Sequence, residues 1–196
     1  MVSYVTYLTY LYVSKDISYC LIGKNLLKQA DSEDIWIKLK YPGIKNELTI
    51  AIIYCHPKGN IPQLKKLLDK IFQDFKLSIH DLFILGDINI NLLGQSGSTN
   101  DLEFSSLLAS NGLFSLVTKP TRVTTNSSTL IDHIYTNSFA DPIFPRVILN
   151  DISDHYMIYC VISIANKSRT TNHVSLKSRN FKNINYELLA RDLSFD

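Results

Sequence analysis

FILGDINI, Phe83–Ile90, decides how the whole chain is read. With Leu82 before it, the stretch opens as an apolar, β-prone run of the kind found in strands covered on both faces. Gly86 interrupts it, and Asp87 and Asn89 follow with one residue between them. A buried strand has no use for a carboxylate and an amide at its end. They belong either to a turn or to a site built where the strand leaves its sheet. For an isolated D-x-N the turn is the commoner case.

Outward from this stretch, 4–13, 35–39, 48–55, 129–136, 146–149 and 155–164 are rich in β-branched and aromatic residues and read as further strands. Two segments carry the helical period. In 61–75, Ile61, Leu64, Leu67, Leu68, Ile71, Phe72 and Phe75 form one apolar stripe. Asn60 is placed to cap this helix, and Pro62 suits its first turn. The second helix is expected over 101–110, with Asn100 as its N-cap, Glu103 three residues on, and Asn111-Gly112 as its stop. Strands alternating with helices indicate a layered α/β fold. The apolar pattern weakens after about residue 165. A domain is therefore expected over 1–165 and a polar linker over 166–196, which includes the basic stretch Lys167–Lys182.

Composition agrees with a globular domain: 45% of the 196 residues are hydrophobic and 19% charged, enough to bury a sizeable core. The net charge of +2 permits a nucleic-acid partner without indicating one. Cys20, Cys55 and Cys160 are odd in number and scattered, which argues against a disulfide framework or a cysteine zinc site and suits a reduced intracellular compartment. The opening MVSYVTYLTYLYV lacks the basic start of a signal peptide, and no apolar run reaches the roughly 20 residues of a membrane helix. No membrane partner is expected.

The polar residues worth weighing sit at strand ends: Tyr54 before His56-Pro57, Asp87 and Asn89, Asp132-His133, and Asp154-His155. Each has a bland reading by itself. Tyr54 could be a core aromatic, Ser153-Asp154 a strand start, and His133 and His155 satisfied, partly buried histidines. A histidine zinc site is disfavoured, because the five histidines show no paired spacing.

Their order is more informative. IAIIYCHP (50–57), FILGDINI (83–90), PTR (120–122), STLIDHIYTN (128–137) and SDHYMIYCVI (153–162) together resemble the endonuclease/exonuclease/phosphatase superfamily. More narrowly, they resemble the endonuclease domain of LINE-type (non-LTR) retrotransposons, over roughly residues 8–164. The tail RNFKNINYELLARDL (179–193) is similar to the segment leading from that domain toward a reverse transcriptase.

The resemblance implies a DNase-I-like sandwich of mixed β-sheets flanked by helices. It also implies metal-dependent phosphodiester hydrolysis, with DNA as partner, Mg²⁺ or Mn²⁺ as cofactor, and a location inside the cell, the nucleus included. By the same resemblance, Asp87 and Asn89 face the scissile phosphate and position the attacking water. His155 contacts the phosphate or acts as acid/base, and Asp132 accepts its ring N–H. Asp154 lies at the metal, Tyr54 brings its hydroxyl near the phosphate, and Thr121 lines the pocket. His133 is read as structural.

The chain departs from that pattern in two places. Tyr54-Cys55-His56-Pro57 stands where these retrotransposon domains carry Tyr-Arg-Pro-Pro, so a basic residue near the DNA is lost or replaced by His56. The family's first strand, ending in Asn, and its second, bearing a metal-binding Glu, have no counterpart, and Glu33 and Glu47 stand in the wrong context to replace that Glu. The expectation is a domain lacking its first strands. Beside the endonuclease stand two alternatives: an inactive remnant of such a domain, and a phosphatase or phosphodiesterase of the same superfamily.

Overall fold

The computed structural model describes residues 2–5, 9–40, 47–75, 81–93, 99–138, 142–150 and 152–163, all within 1–165. The expected linker 166–196 lies outside the described residues. A six-stranded mixed sheet in the order β3-β4-β5-β6-β10-β7 forms the centre. Its strands are β3 (Ser18–Lys24), β4 (Ser32–Lys40), β5 (Leu48–Cys55), β6 (Asp81–Asp87), β7 (Phe114–Ser115) and β10 (Asp132–Thr136). β5 and β6 run parallel, and α1 (Ile61–Asp74) lies between them in sequence. Parallel neighbours need a crossover connection of this kind. The other pairings are antiparallel.

Alternation along the strands sends side chains to two covered faces. Trp36, Ala51, Ile53, Cys55, Ile84 and Tyr135 pack with Leu64, Leu68 and Phe72 of α1 and Phe104 and Leu108 of α2 (Thr99–Ser110). On the opposite face, Ile35 and Ile37 meet Val13 of the ribbon β1–β2 (Val2–Val5, Tyr10–Val13). Phe83 and Ile134 meet Val147, Ile158 and Cys160 of the ribbon β11–β12 (Ile143–Ile148, Met157–Ile162). A fourth, minimal ribbon joins β8 (Arg122–Val123) to β9 (Ser128–Thr129). The architecture is a layered α/β sandwich.

Several local expectations are corrected. Residues 4–13 are not one strand: the chain folds back so that Val2 pairs with Val13 and Val5 with Tyr10. Thr6, Tyr7 and Leu8 lie outside the described residues. The segment 129–136 splits into β9 and β10, since Leu130 and Ile131 turn inward to buried positions between them. Asn100 lies inside α2 rather than capping it. Asn60 does cap α1, its side chain accepting the Gln63 N–H at 3.0 Å. Gly112 ends α2 with φ +73°, in the left-handed region that glycine enters without strain.

Candidate active site

The register of β6 and β10 builds the site. Asp132 is the direct antiparallel partner of Asp87, so the two carboxylates leave the sheet side by side at one edge. Gly86 makes the approach of β5 to β6 feasible: its φ is +137°, and a Cβ there would lie 1.9 Å from the Ile53 carbonyl oxygen.

Beyond Gly86, the D-x-N turns out to be both turn and site. Asp87 Oδ1 accepts the Asn89 backbone N–H at 3.0 Å, closing a tight turn with Asn89 at φ +54°. Asn89 Nδ2 donates to the Cys55 carbonyl at 2.8 Å, tying the turn to the end of β5 and leaving its Oδ1 as the side-chain atom without that duty. Two more bonds fix the loop from behind. Ile88 N donates to Ile131 O at 3.0 Å, and a ring nitrogen of fully buried His133 lies 2.9 Å from Ile90 O. His133 is thus a core residue. Burial holds its pKa below the ordinary imidazole range, so it stays neutral and pins the loop.

His155 reaches Asp132 from outside the sheet. Its Nδ1 stands 3.2 Å from Oδ1 and 3.1 Å from Oδ2 of Asp132, which leaves Nε2 as the outward atom. The His155 backbone is held by an isolated antiparallel bridge to Arg122, and its N–H donates to Ser153 Oγ at 3.1 Å. Ligand atoms of Asp87, Asp132 and His155 lie within 4.8 Å of one another.

Thr121 is fully buried. Its hydroxyl oxygen accepts the Ile131 N–H at 3.2 Å and the Asp132 N–H at 3.0 Å, so it stands behind Asp132 as a pin and not on an open wall. Asp154 is exposed and outside the three-residue group; its Oδ2 takes the Arg122 Nε–H at 2.7 Å. Arg122, whose role sequence reading missed, sits in the same PTR stretch that carries Thr121. No local sequence signal marks it: its neighbours come only through the bridge to His155.

The electrostatics follow from this crowding. Burial first, and then the neighbouring Asp132 charge, push the Asp87 carboxyl up to about 6, against smaller opposing effects from the Asn89 N–H, His155 and Arg122. Arg122, chiefly by its hydrogen bond, holds the Asp154 carboxyl below the usual range. Tyr54, at the end of β5, has its hydroxyl pKa raised by burial and then by Asp87. A cavity of about 520 Å³ opens beside Tyr54, with Glu33, Lys28, His56 and Lys58 in its lining. Glu33 is the direct cross-strand partner of Tyr54, whereas Glu47 lies at the surface in ion pairs with Lys38 and Lys40. Among the described residues no helix is long and apolar enough to cross a membrane.

A half-buried pair of facing carboxylates offers hard oxygen donors and an excess of negative charge. That donor set fits a divalent cation such as Mg²⁺.

Comparison with curated proteins finds no match. Among solved structures, the endonuclease domain of TRAS1, a telomere-specific non-LTR retrotransposon, aligns with a TM-score of 0.61 at 16% identity, over 76% of this chain and 70% of that one. TDP2 of D. rerio, complexed with single-strand DNA product, aligns with a TM-score of 0.50 at 17% identity, over 74% and 67%. At these identities the likeness is one of fold, the DNase-I-like fold of endonuclease/exonuclease/phosphatase proteins. The family described as endonuclease-reverse transcriptase matches residues 48–159, more than half of the chain and the part that holds the whole constellation, and the protein belongs to it.

Proposed function

We propose that the site hydrolyses phosphodiesters, and that this is a retrotransposon-type endonuclease domain nicking DNA. The observation that carries the reading is the Asp132–His155 contact at 3.1–3.2 Å beside Asp87. A carboxylate on Nδ1 fixes the ring so that Nε2 meets the substrate, the arrangement used wherever an oriented imidazole must hold or move a proton. Asp87 would orient the attacking water and take its proton. Asn89, its Nδ2 spent on Cys55, would hold that water or the phosphate through Oδ1. Tyr54 would stand at the phosphate with its proton retained, and Thr121 would act through Asp132 by pinning that residue's backbone.

Asp154 at the rim, beside the Asp87–Asp132 pair, would hold Mg²⁺ or Mn²⁺, which supplies charge neutralisation at the non-bridging oxygens. The partner is DNA, and in the parent element a reverse transcriptase.

The test is nicking of supercoiled plasmid by the full chain with Mg²⁺. His155→Ala is expected to lower the rate by about a hundredfold or more, with DNA binding little changed, because the group acts mainly on the transition state. Near-wild-type nicking by His155→Ala, or no nicking by the wild type, overturns the reading.

A further inference from the structure

We propose that Arg122 is a further phosphate-binding residue of this site, its guanidinium presenting its terminal amino groups to a non-bridging oxygen of the scissile phosphodiester. This rests on the phosphodiesterase reading above. The first support is backbone geometry. Arg122 and His155 are directly opposed in an antiparallel bridge, flanked by Val123 N donating to Asp154 O at 2.9 Å and Tyr156 N donating to Thr121 O at 2.6 Å. Directly opposed residues project to the same face of such a pair with Cβ atoms roughly 5 Å apart, so the guanidinium emerges beside the imidazole.

The second support is how the side chain is held. Nε donates to Asp154 Oδ2 at 2.7 Å, which fixes the plane of the group. The two terminal amino groups take no partner among the described residues, and 44% of the side chain is exposed. An arginine tethered by one edge keeps its two-pronged edge for a planar or tetrahedral anion.

The third is charge. Asp87, Asp132 and Asp154 stand around the place where an anionic phosphodiester must sit, and Arg122 is among the groups whose field reaches all three. Its charge does not depend on working pH, so it offsets that repulsion whatever the state of His155.

The competing account is that Arg122 only holds Asp154 in place. The two accounts separate in a binding experiment. Duplexes are made with either a phosphodiester or an uncharged methylphosphonate at the position the wild type nicks, and binding is measured in EDTA. Arg122→Gln should weaken binding of the phosphodiester duplex by about tenfold, and Arg122→Lys by less, since lysine keeps the charge but not the fork. On the methylphosphonate duplex the loss for Arg122→Gln should shrink to about twofold. Asp154→Asn, which removes a repelling charge and releases the guanidinium, should bind the phosphodiester duplex more tightly, by about two- to fivefold.

Equal losses for Arg122→Gln on both duplexes, or a loss for Asp154→Asn like that for Arg122→Gln, overturn the proposal. So does binding by Arg122→Gln within twofold of wild type while His155→Ala is inactive in nicking. In that last case the phosphodiesterase reading stands and only the arginine assignment falls; full nicking by His155→Ala would remove the reading itself.

Discussion

The two halves of the site are built differently. Asp87, Asn89 and Asp132 stand at the ends of adjacent strands of the six-stranded sheet, and bonds of 2.8–3.2 Å fix them: the Asn89 side chain to Cys55 O, the Ile88 N–H to Ile131 O, and the Ile131 and Asp132 N–H groups to the Thr121 hydroxyl. Arg122, Asp154 and His155 stand on a two-residue ribbon and a bend, partly or largely exposed. The sheet half fixes geometry at an electrostatic cost, since it forces two carboxylates together where water is scarce. The rim half brings the Arg122 guanidinium, which relieves part of this cost, on elements free to adjust to a substrate. Rigid acids and adaptable cations suit a site that must accept a long, charged polymer and then align one phosphate.

The largest expected effect tests the rigidity of the sheet half. Gly86→Ala places a Cβ 1.9 Å from the Ile53 carbonyl oxygen, at a φ of +137° that side chains rarely adopt. Neither backbone can yield without breaking the β5–β6 pairing. The variant is expected to lose at least about 4 kcal/mol, a large share of a domain's net stability. Urea titration or soluble yield checks it; a variant melting within a few degrees of wild type would show that the sheet edge is pliable.

A smaller effect sharpens the cost assigned to that half. Asp87 has a folded pKa of about 6 against an ordinary 3.8, so the folded state holds its proton more tightly than the unfolded chain. Stability is then lost as pH rises from about 4 through 6, reaching on the order of 2–3 kcal/mol above that range. Asp87→Asn keeps an oxygen for the Asn89 N–H but cannot ionise. In EDTA it should be more stable than wild type by about that amount at pH 7.5, the two converging near pH 4. Denaturant midpoints at three pH values would check this, and a variant no more stable than wild type at pH 7.5 would mean that the pair is not frustrated.

How far each half could be read in advance follows from the same difference. The sheet half was legible in FILGDINI and TLIDHI, because apolar runs bounded by short polar residues have one ready interpretation in an α/β protein. The cores behind them were legible too, through the stripe Leu64, Leu68, Ile71 and Phe72. The rim half was not. Arg122 acquires its neighbours only through a bridge across 33 positions of sequence, and two-residue strands such as β8 and β9 have no period to detect. Thr121 was noticed, but its direction was not legible, since only the fold turns its hydroxyl onto two backbone N–H groups. β3 escaped for another reason: it is an edge strand with Ser18, Cys20 and Leu21 exposed, so burial never selected a clean alternation.

The smallest expected effect concerns the ion pair that defines the rim. Arg122 and Asp154 meet at 2.7 Å, yet their side chains remain 44% and 42% exposed. Water and salt screen such a pair, and holding two flexible side chains in one geometry costs entropy that offsets most of the attraction. Because Arg122 holds the folded-state carboxyl of Asp154 below its usual range, whatever stability the pair contributes is present at neutral pH and lost as pH falls through that depressed value. Asp154→Asn should therefore shift the melting temperature by no more than about 3 °C at pH 7.5 in EDTA, and by less in 1 M salt. Thermal melts at two salt concentrations decide the matter. A drop of ten degrees that high salt leaves untouched would mean that the rim is locked as firmly as the sheet. The division of labour between fixed acids and adaptable cations would then have to be abandoned.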